Sequence, residues 1–134
     1  MRKLSMLTCT VELSLYIGEY DDEAQHQRVI LKNCYCVENK GVGSGNQGKK
    51  PADAIKLYIF DCKTIALSEF GATLHYVPYE QWIETTDKSR IWTLSDKGTD
   101  YLQIEGSEQK YKITGFLRKK AGRRRMWHFE VNAR

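Results

Sequence analysis

The chain is 134 residues long, 41% hydrophobic and 28% charged, which is the usage of a folded globular domain and excludes disorder of the whole chain. That length suits one domain spanning 1–134, and no apolar run approaches the roughly 18–20 residues that cross a bilayer, so no membrane partner is expected. The net charge of +4 conceals a bipolar molecule, because residues 110–134 hold nine basic and one acidic side chain whereas 1–109 hold twelve basic and sixteen acidic.

The opening MRKLSMLTCTVE has a basic start but no apolar core of the kind a signal peptide needs, so a cytosolic setting with reduced thiols is expected. Val11, Leu13, Leu15 and Ile17 alternate with Glu12, Ser14 and Tyr16, which predicts a half-buried strand over 11–17. The stretch GEYDDEAQ reads as a turn, and a second strand runs from about Arg28 to Val37. Residues 39–53 combine four glycines with no apolar period and read as a flexible loop. A third strand follows at 55–60, with Ile55, Leu57 and Ile59 on one face.

The middle of the chain is less regular. A short strand is predicted at 72–77, and Pro78 then suits the first turn of a helix, where its missing N–H costs nothing. PYEQWIET is long enough for a short helix, with Tyr79, Trp82 and Ile83 spaced to face inwards. Strands at 91–94 and 101–104 are separated by the turn residues SDKGTD. Tyr111, Ile113 and Leu117 next share one side of a strand, and Trp127, Phe129 and Val131 do the same beyond a basic run, the pattern of a hairpin. Trp82, Trp92 and Trp127 are expected in the core. The predicted fold is mostly β: a small β-barrel or sandwich of about six to seven antiparallel strands, with long loops and at most one short helix.

Few motifs carry chemistry. Gly43, Gly45 and Gly48 satisfy G-x-G-x-x-G, and Gly43 to Lys49 satisfy G-x-x-x-x-G-K. A phosphate-binding loop must feed a helix whose N–H groups hold the phosphates; here Lys50 stands at the Ser/Thr position, and Pro51 and a β-patterned run follow. No nucleotide or other cofactor is therefore expected. Gly41, Gly43, Gly45, Gly48, Lys49 and Lys50 form instead a candidate assembly or channel loop, one that orders against a neighbouring subunit. His26, His75 and His128 share no spacing with a nucleophile, so no catalytic residue is assigned and the protein is not expected to be an enzyme. Alternation puts His128 on the exposed face, as a solvated or interface histidine. Cys34 and Cys36 fall on one face of a strand rather than on a zinc-knuckle turn, so no metal site is expected, and Cys9 and Cys62 read as free thiols.

The basic run LRKKAGRRR is the strongest functional signal. Arg118, Lys119, Lys120, Arg123, Arg124 and Arg125 crowd the predicted hairpin tip and repel one another unless a counter-charge holds them. They are candidates for contact with a DNA backbone or an acidic protein partner. No base-reading helix accompanies them, so any DNA contact is sequence-independent. An OB-like single-strand binder is an alternative in which Tyr111 and Phe116 serve as stacking platforms.

The order of short patterns resembles a known family. TVELSLYI is followed by RVILKNCYC, a polar loop, ADAIKLYIF, YVPYEQW, the WTL of Trp92–Leu94, Gly98, Asp100–Tyr101, Gly106, YKITGFL, a basic hairpin and MWHFEVNAR. This order resembles the minor capsid, head-closure (stopper) proteins of the tailed-bacteriophage head-to-tail connector. The resemblance implies a virion protein without catalysis, assembled in the host bacterial cytoplasm as a homo-oligomeric ring of about six copies, a hexamer. It also implies adaptor or portal-side and tail-side connector proteins as partners, and non-specific contact with packaged double-stranded DNA that loops of the ring help to retain. A tail-completion or tail-terminator protein is the alternative position on the same β architecture.

Overall fold

The computed structural model describes residues 8–39 and 54–134. Their strands are β1 (Thr8–Tyr20), β2 (Glu23–Asn39), β3 (Ala54–Phe60), β4 (Ile65–Ser68), β5 (Thr73–Tyr76), β6 (Ile91–Trp92), β7 (Tyr101–Ile104), β8 (Lys110–Lys119) and β9 (His128–Ala133). One short helix, α1 (Tyr79–Glu84), and a 3-10 turn at Arg124–Met126 complete the elements.

Six strands close on themselves. β1 pairs with β7, β7 with β8, β8 with β9, β9 with β3, β3 with β2, and β2 again with β1, every pairing antiparallel. Closure gives each of the six strands a neighbour on both sides and makes a small barrel filled by its own side chains. β4 pairs with the middle of the long β2, β5 with β4, and β6 lies parallel to β5. The mostly β architecture is as the alternation predicts. The strands number nine among the described residues, not six or seven, and the β5–β6 pair departs from the expected antiparallel order.

Local chemistry explains the difference. GEYDDEAQ is not a long turn: Asp21 and Asp22 have φ of 54° and 64° and make a two-residue hairpin connection, so β1 reaches Tyr20 and β2 restarts at Glu23. Positive φ at both central residues matches the twist of the flanking strands, and Asp tolerates it better than most residues. β4 is only IALS between two turns, too short to show alternation.

Val11, Leu13 and Leu15 of β1, Val29 and Leu31 of β2, and Ile55, Leu57 and Ile59 of β3 fill the interior with Leu102, Phe129 and Val131. Trp82 and Trp92 are buried as expected, but Ile83 is exposed and Tyr79 only half-buried, because the short α1 turns a single side chain inwards. Ile17 is exposed as well: β7 accompanies β1 only from Val11 to Ser14, so beyond it the β1–β2 hairpin stands clear of the barrel.

Two irregularities set the remaining faces. On β2, Asn33 has φ of 64° and the register slips between Cys9↔Cys34 and Val11↔Leu31, so the inward parity passes from Val29 and Leu31 to Cys34. On β8, Ile113 lies opposite Ala133 but Gly115 lies opposite Asn132, leaving Thr114 as an extra residue. A bulge reverses the faces of everything after it. Phe116 therefore packs on the core and Leu117 is exposed, the reverse of the simple alternation.

β1 and β8 both flank β7 in antiparallel fashion and so run the same way. The turn at the end of β1 and the loop at the end of β8 consequently lie toward one end of the barrel. Asn39 and Ala54, which are paired, lie toward the other. Among the described residues no helix is long and apolar enough to cross a membrane.

Candidate functional site

The predicted basic hairpin is the β8–β9 hairpin, but its end is an eight-residue loop, 120–127, rather than a tight turn. Gly122, with φ of 78°, supplies a left-handed position that L side chains rarely adopt, and the 3-10 turn Arg124–Met126 follows. Within it, Met126 N–H donates to the Arg123 carbonyl at 2.8 Å and Trp127 N–H to the Arg124 carbonyl at 3.1 Å. The loop is tied to its neighbour by Asp61 N–H, which donates to the Trp127 carbonyl at 3.1 Å.

Arg118 is not part of the free tip. The Thr114 bulge gives it the same parity as Phe116, and its guanidinium donates to both carboxylate oxygens of Asp61, at 2.7 and 2.5 Å. The pair is partly buried, with side-chain exposures of 27% and 22%. The guanidinium carbon also lies 4.3 Å from the Phe129 ring centre. These hydrogen bonds raise the Arg118 pKa above its ordinary value, against the opposing pull of burial. A planar fork bonded twice to a carboxylate and stacked on a ring is a fixed side chain, and lysine could not reproduce it.

Trp127 forms the second root. Lys120 Nζ sits 5.2 Å, Arg124 Cζ 5.4 Å and Arg118 Cζ 6.0 Å from its ring centre. Trp127 is half-buried and so departs from the expected core position. Its exposed face carries cations instead. Lys119, Lys120, Arg123, Arg124 and Arg125 are all exposed, and none forms a salt bridge with a described residue. Five of the six predicted cations thus face outward, and the sixth holds the loop in place.

The strand below completes the electrostatics. His128 is not the freely solvated residue that alternation suggests: Nδ1 lies 2.9 Å from the Met126 carbonyl oxygen and Nε2 lies 3.0 Å from Glu130 Oε2. Its ring also leans on Phe60, with centres 4.9 Å apart. Glu130 is held below the usual carboxylate range by the His128 hydrogen bond, with Lys56, 3.2 Å away, adding to the effect. A cavity of about 460 Å³ opens beneath the loop, floored by Trp92 and Phe129 and rimmed by Arg118 and Arg124. Asp61 already occupies the Arg118 fork, so that rim offers one unpaired guanidinium.

Tyr111 is buried and Phe116 packs against the core, so neither presents a free ring face on which a base could stack. Gly41, Gly43, Gly45, Gly48, Lys49 and Lys50 lie outside the described residues. Their flanks, Asn39 and Ala54, sit toward the end opposite the basic loop. No family model, curated protein or solved structure matches the chain. Asp61, Phe129 and Trp127 are the residues that sequence reasoning missed as supports. A lone Asp in DCKT carried no signal, and the parity of Arg118 depends on a bulge that alternation cannot show.

Proposed function

We propose that this protein is a structural, non-enzymatic part of a tailed-phage virion. It forms a head-completion or stopper ring in the head–tail connector, joins the portal and adaptor side to the tail, and helps to retain packaged double-stranded DNA. The observation that carries this reading is the rooted cationic loop. Five exposed cations leave a hairpin whose base is fixed by Arg118, Asp61, Phe129 and Trp127.

A loop held in place presents its charges with little ordering cost on binding, and phosphates are the partner that a sequence-independent cationic array suits. The same end of the barrel also carries Glu19, Asp21, Asp22 and Glu23 at the β1–β2 turn. That acidic turn opposes the approach of a polyanion to one copy. Repeating the basic loop around a ring axis gathers the cations where a single copy cannot, so multiplicity and not intrinsic affinity sets the hold on DNA.

The test is duplex binding by fluorescence anisotropy across a salt series, run beside sedimentation velocity. The isolated chain should bind with a Kd no tighter than about 10⁻⁶ M at physiological salt, the range of non-specific binding. Replacing Lys119, Lys120, Arg123 and Arg125 together by serine should flatten the salt dependence. Tight, stoichiometric duplex binding by the monomer overturns the connector reading in favour of a free nucleic-acid binder.

A further inference from the structure

Three of the four cysteines converge at the end of the barrel away from the two hairpin tips. Cys9 on β1 lies directly opposite Cys34 on β2, and the Asn33 bulge turns the face that Cys34 and Cys36 share toward the core. Cys9 Sγ is 2.8 Å from Cys36 Sγ and 3.9 Å from Cys34 Sγ. All are free thiols.

The spacing separates two chemistries. Thiolates sharing a tetrahedral zinc sit about 3.8 Å apart, given metal–sulfur bonds of about 2.3 Å. Cys9 and Cys36 are closer than one metal allows, and among the described residues no group of three His, Cys, Asp or Glu is arranged to hold a metal. A short approach between two sulfurs suits a direct bond between them.

We propose that Cys9 and Cys36 are a thiol pair that a hydroperoxide converts to a disulfide joining β1 to β2. Two features select these partners from the three. Cys34 is fully buried, and its sulfur stands 3.9 Å from that of Cys9 against 2.8 Å for Cys36. Cys9 and Cys36 are only half-buried, and a cavity of about 470 Å³ lined by Thr8, Cys9, Thr10, Lys32 and Glu105 opens beside the first. A small oxidant therefore reaches Cys9.

The thiol contacts also choose the attacking sulfur. Contact with Cys34 and Cys36 draws Cys9 down to about 4, while contact with Cys9 together with burial pushes those two thiols up, which favours Cys9, the sulfur beside the cavity, as the nucleophile. The thiolate is the nucleophile in such chemistry. Cys9 sulfur attacks one oxygen of hydrogen peroxide: the S–O bond forms, the O–O bond breaks, and the leaving hydroxide takes a proton from solvent to become water. The Cys36 sulfur then attacks the sulfenic sulfur of Cys9; the S–S bond forms, the S–O bond breaks, and the hydroxyl leaves as water with the Cys36 proton. Two thiols lose two electrons and one peroxide becomes two waters.

The product closes the whole β1–β2 hairpin into a covalent loop and pins the start of β1 to the barrel. It acts independently of what the basic loop binds.

The test treats the full chain, carrying Cys62→Ser to remove the exposed thiol, with one equivalent of hydrogen peroxide. The intact mass should fall by two hydrogen atoms, peptide mapping should place the bond at Cys9–Cys36, and the oxidised form should melt higher than the reduced one. Cys34→Ser should keep the bond; Cys36→Ser should lose it and leave a sulfenic acid at Cys9 that dimedone traps. An unchanged mass, a Cys9–Cys34 bond, or oxygen addition without a disulfide overturns the proposal. The linkage map of the chain with all three clustered cysteines decides this even where a serine variant fails to fold.

Discussion

The β8–β9 hairpin and the β1–β2 hairpin leave the same end of the barrel with opposite charge, and they are rooted differently. The basic hairpin rests on side chains: a bidentate Arg118–Asp61 pair, a stacked Phe129 and a Trp127 ringed by cations. The acidic one rests on backbone and close packing. Its turn is two residues at positive φ, Tyr16 N–H donates to Asp100 Oδ1 at 2.7 Å, and the Tyr16 ring lies over Gly98. A loop of like charges needs fixed anchors beneath it, because its own residues repel one another. A tight turn ending a continuous ladder needs only the right φ and a partner for the last inward N–H.

Breaking the basic root should have the largest effect. Arg118→Ala removes two charge-assisted hydrogen bonds and a ring contact and leaves Asp61 without its partner, so a loss of about 3 kcal/mol is expected in chemical denaturation. Arg118→Lys should recover only part of it. Equal stability of Arg118→Ala and the parent would mean that the loop needs no such anchor.

The acidic root is broken next by Gly98→Ala. A Cβ there would meet Tyr16 ring carbons at 2.3 Å, so the ring must swing away, at an expected cost of about 2 kcal/mol. Amide exchange should quicken at Tyr16–Tyr20 and stay unchanged at 118–127; quickening in both places would contradict separate roots.

The smallest effect sharpens the comparison by pH. Asp100 is buried, and burial raises its pKa despite the Tyr16 N–H and the nearby His26. A carboxyl whose folded pKa lies above its unfolded one favours folding when protonated, and that contribution is lost as pH rises from the ordinary Asp range, about 3.9, through the raised value. Asp100→Asn keeps an acceptor for Tyr16 N–H and carries no charge, so it should match or exceed the parent above that window. Asp100→Ala should be less stable than Asp100→Asn by about 1 kcal/mol in urea melts at neutral pH. A parent more stable than Asp100→Asn at neutral pH would show that the carboxylate charge supports the hairpin, and Asp100→Ala equal to Asp100→Asn would show that the hydrogen bond does not.

Much of the fold was legible because alternation reports burial wherever a strand is regular. Ile55, Leu57 and Ile59 enter the core together, and Tyr101–Ile104 is the strand its pattern predicts. Legibility ended where one backbone residue changed the count. Thr114 on β8 exchanged the faces of Leu117 and Arg118, and Asn33 on β2 turned Cys34 inward. The candidate site shows the same boundary. Its charge could be read directly, but its anchors could not, since Asp61 lies 57 positions from Arg118.

The sequence by itself determined that the chain is a β-rich domain with a cationic hairpin near its end, because strand periodicity, turn chemistry and net charge are local properties. Only the tertiary structure decided that six strands close into a barrel, that the acidic and basic hairpins share one end, that Arg118 serves the loop instead of projecting from it, and that three thiols meet. Each of these depends on register between strands distant in sequence, and a single bulge is enough to change which side chains meet.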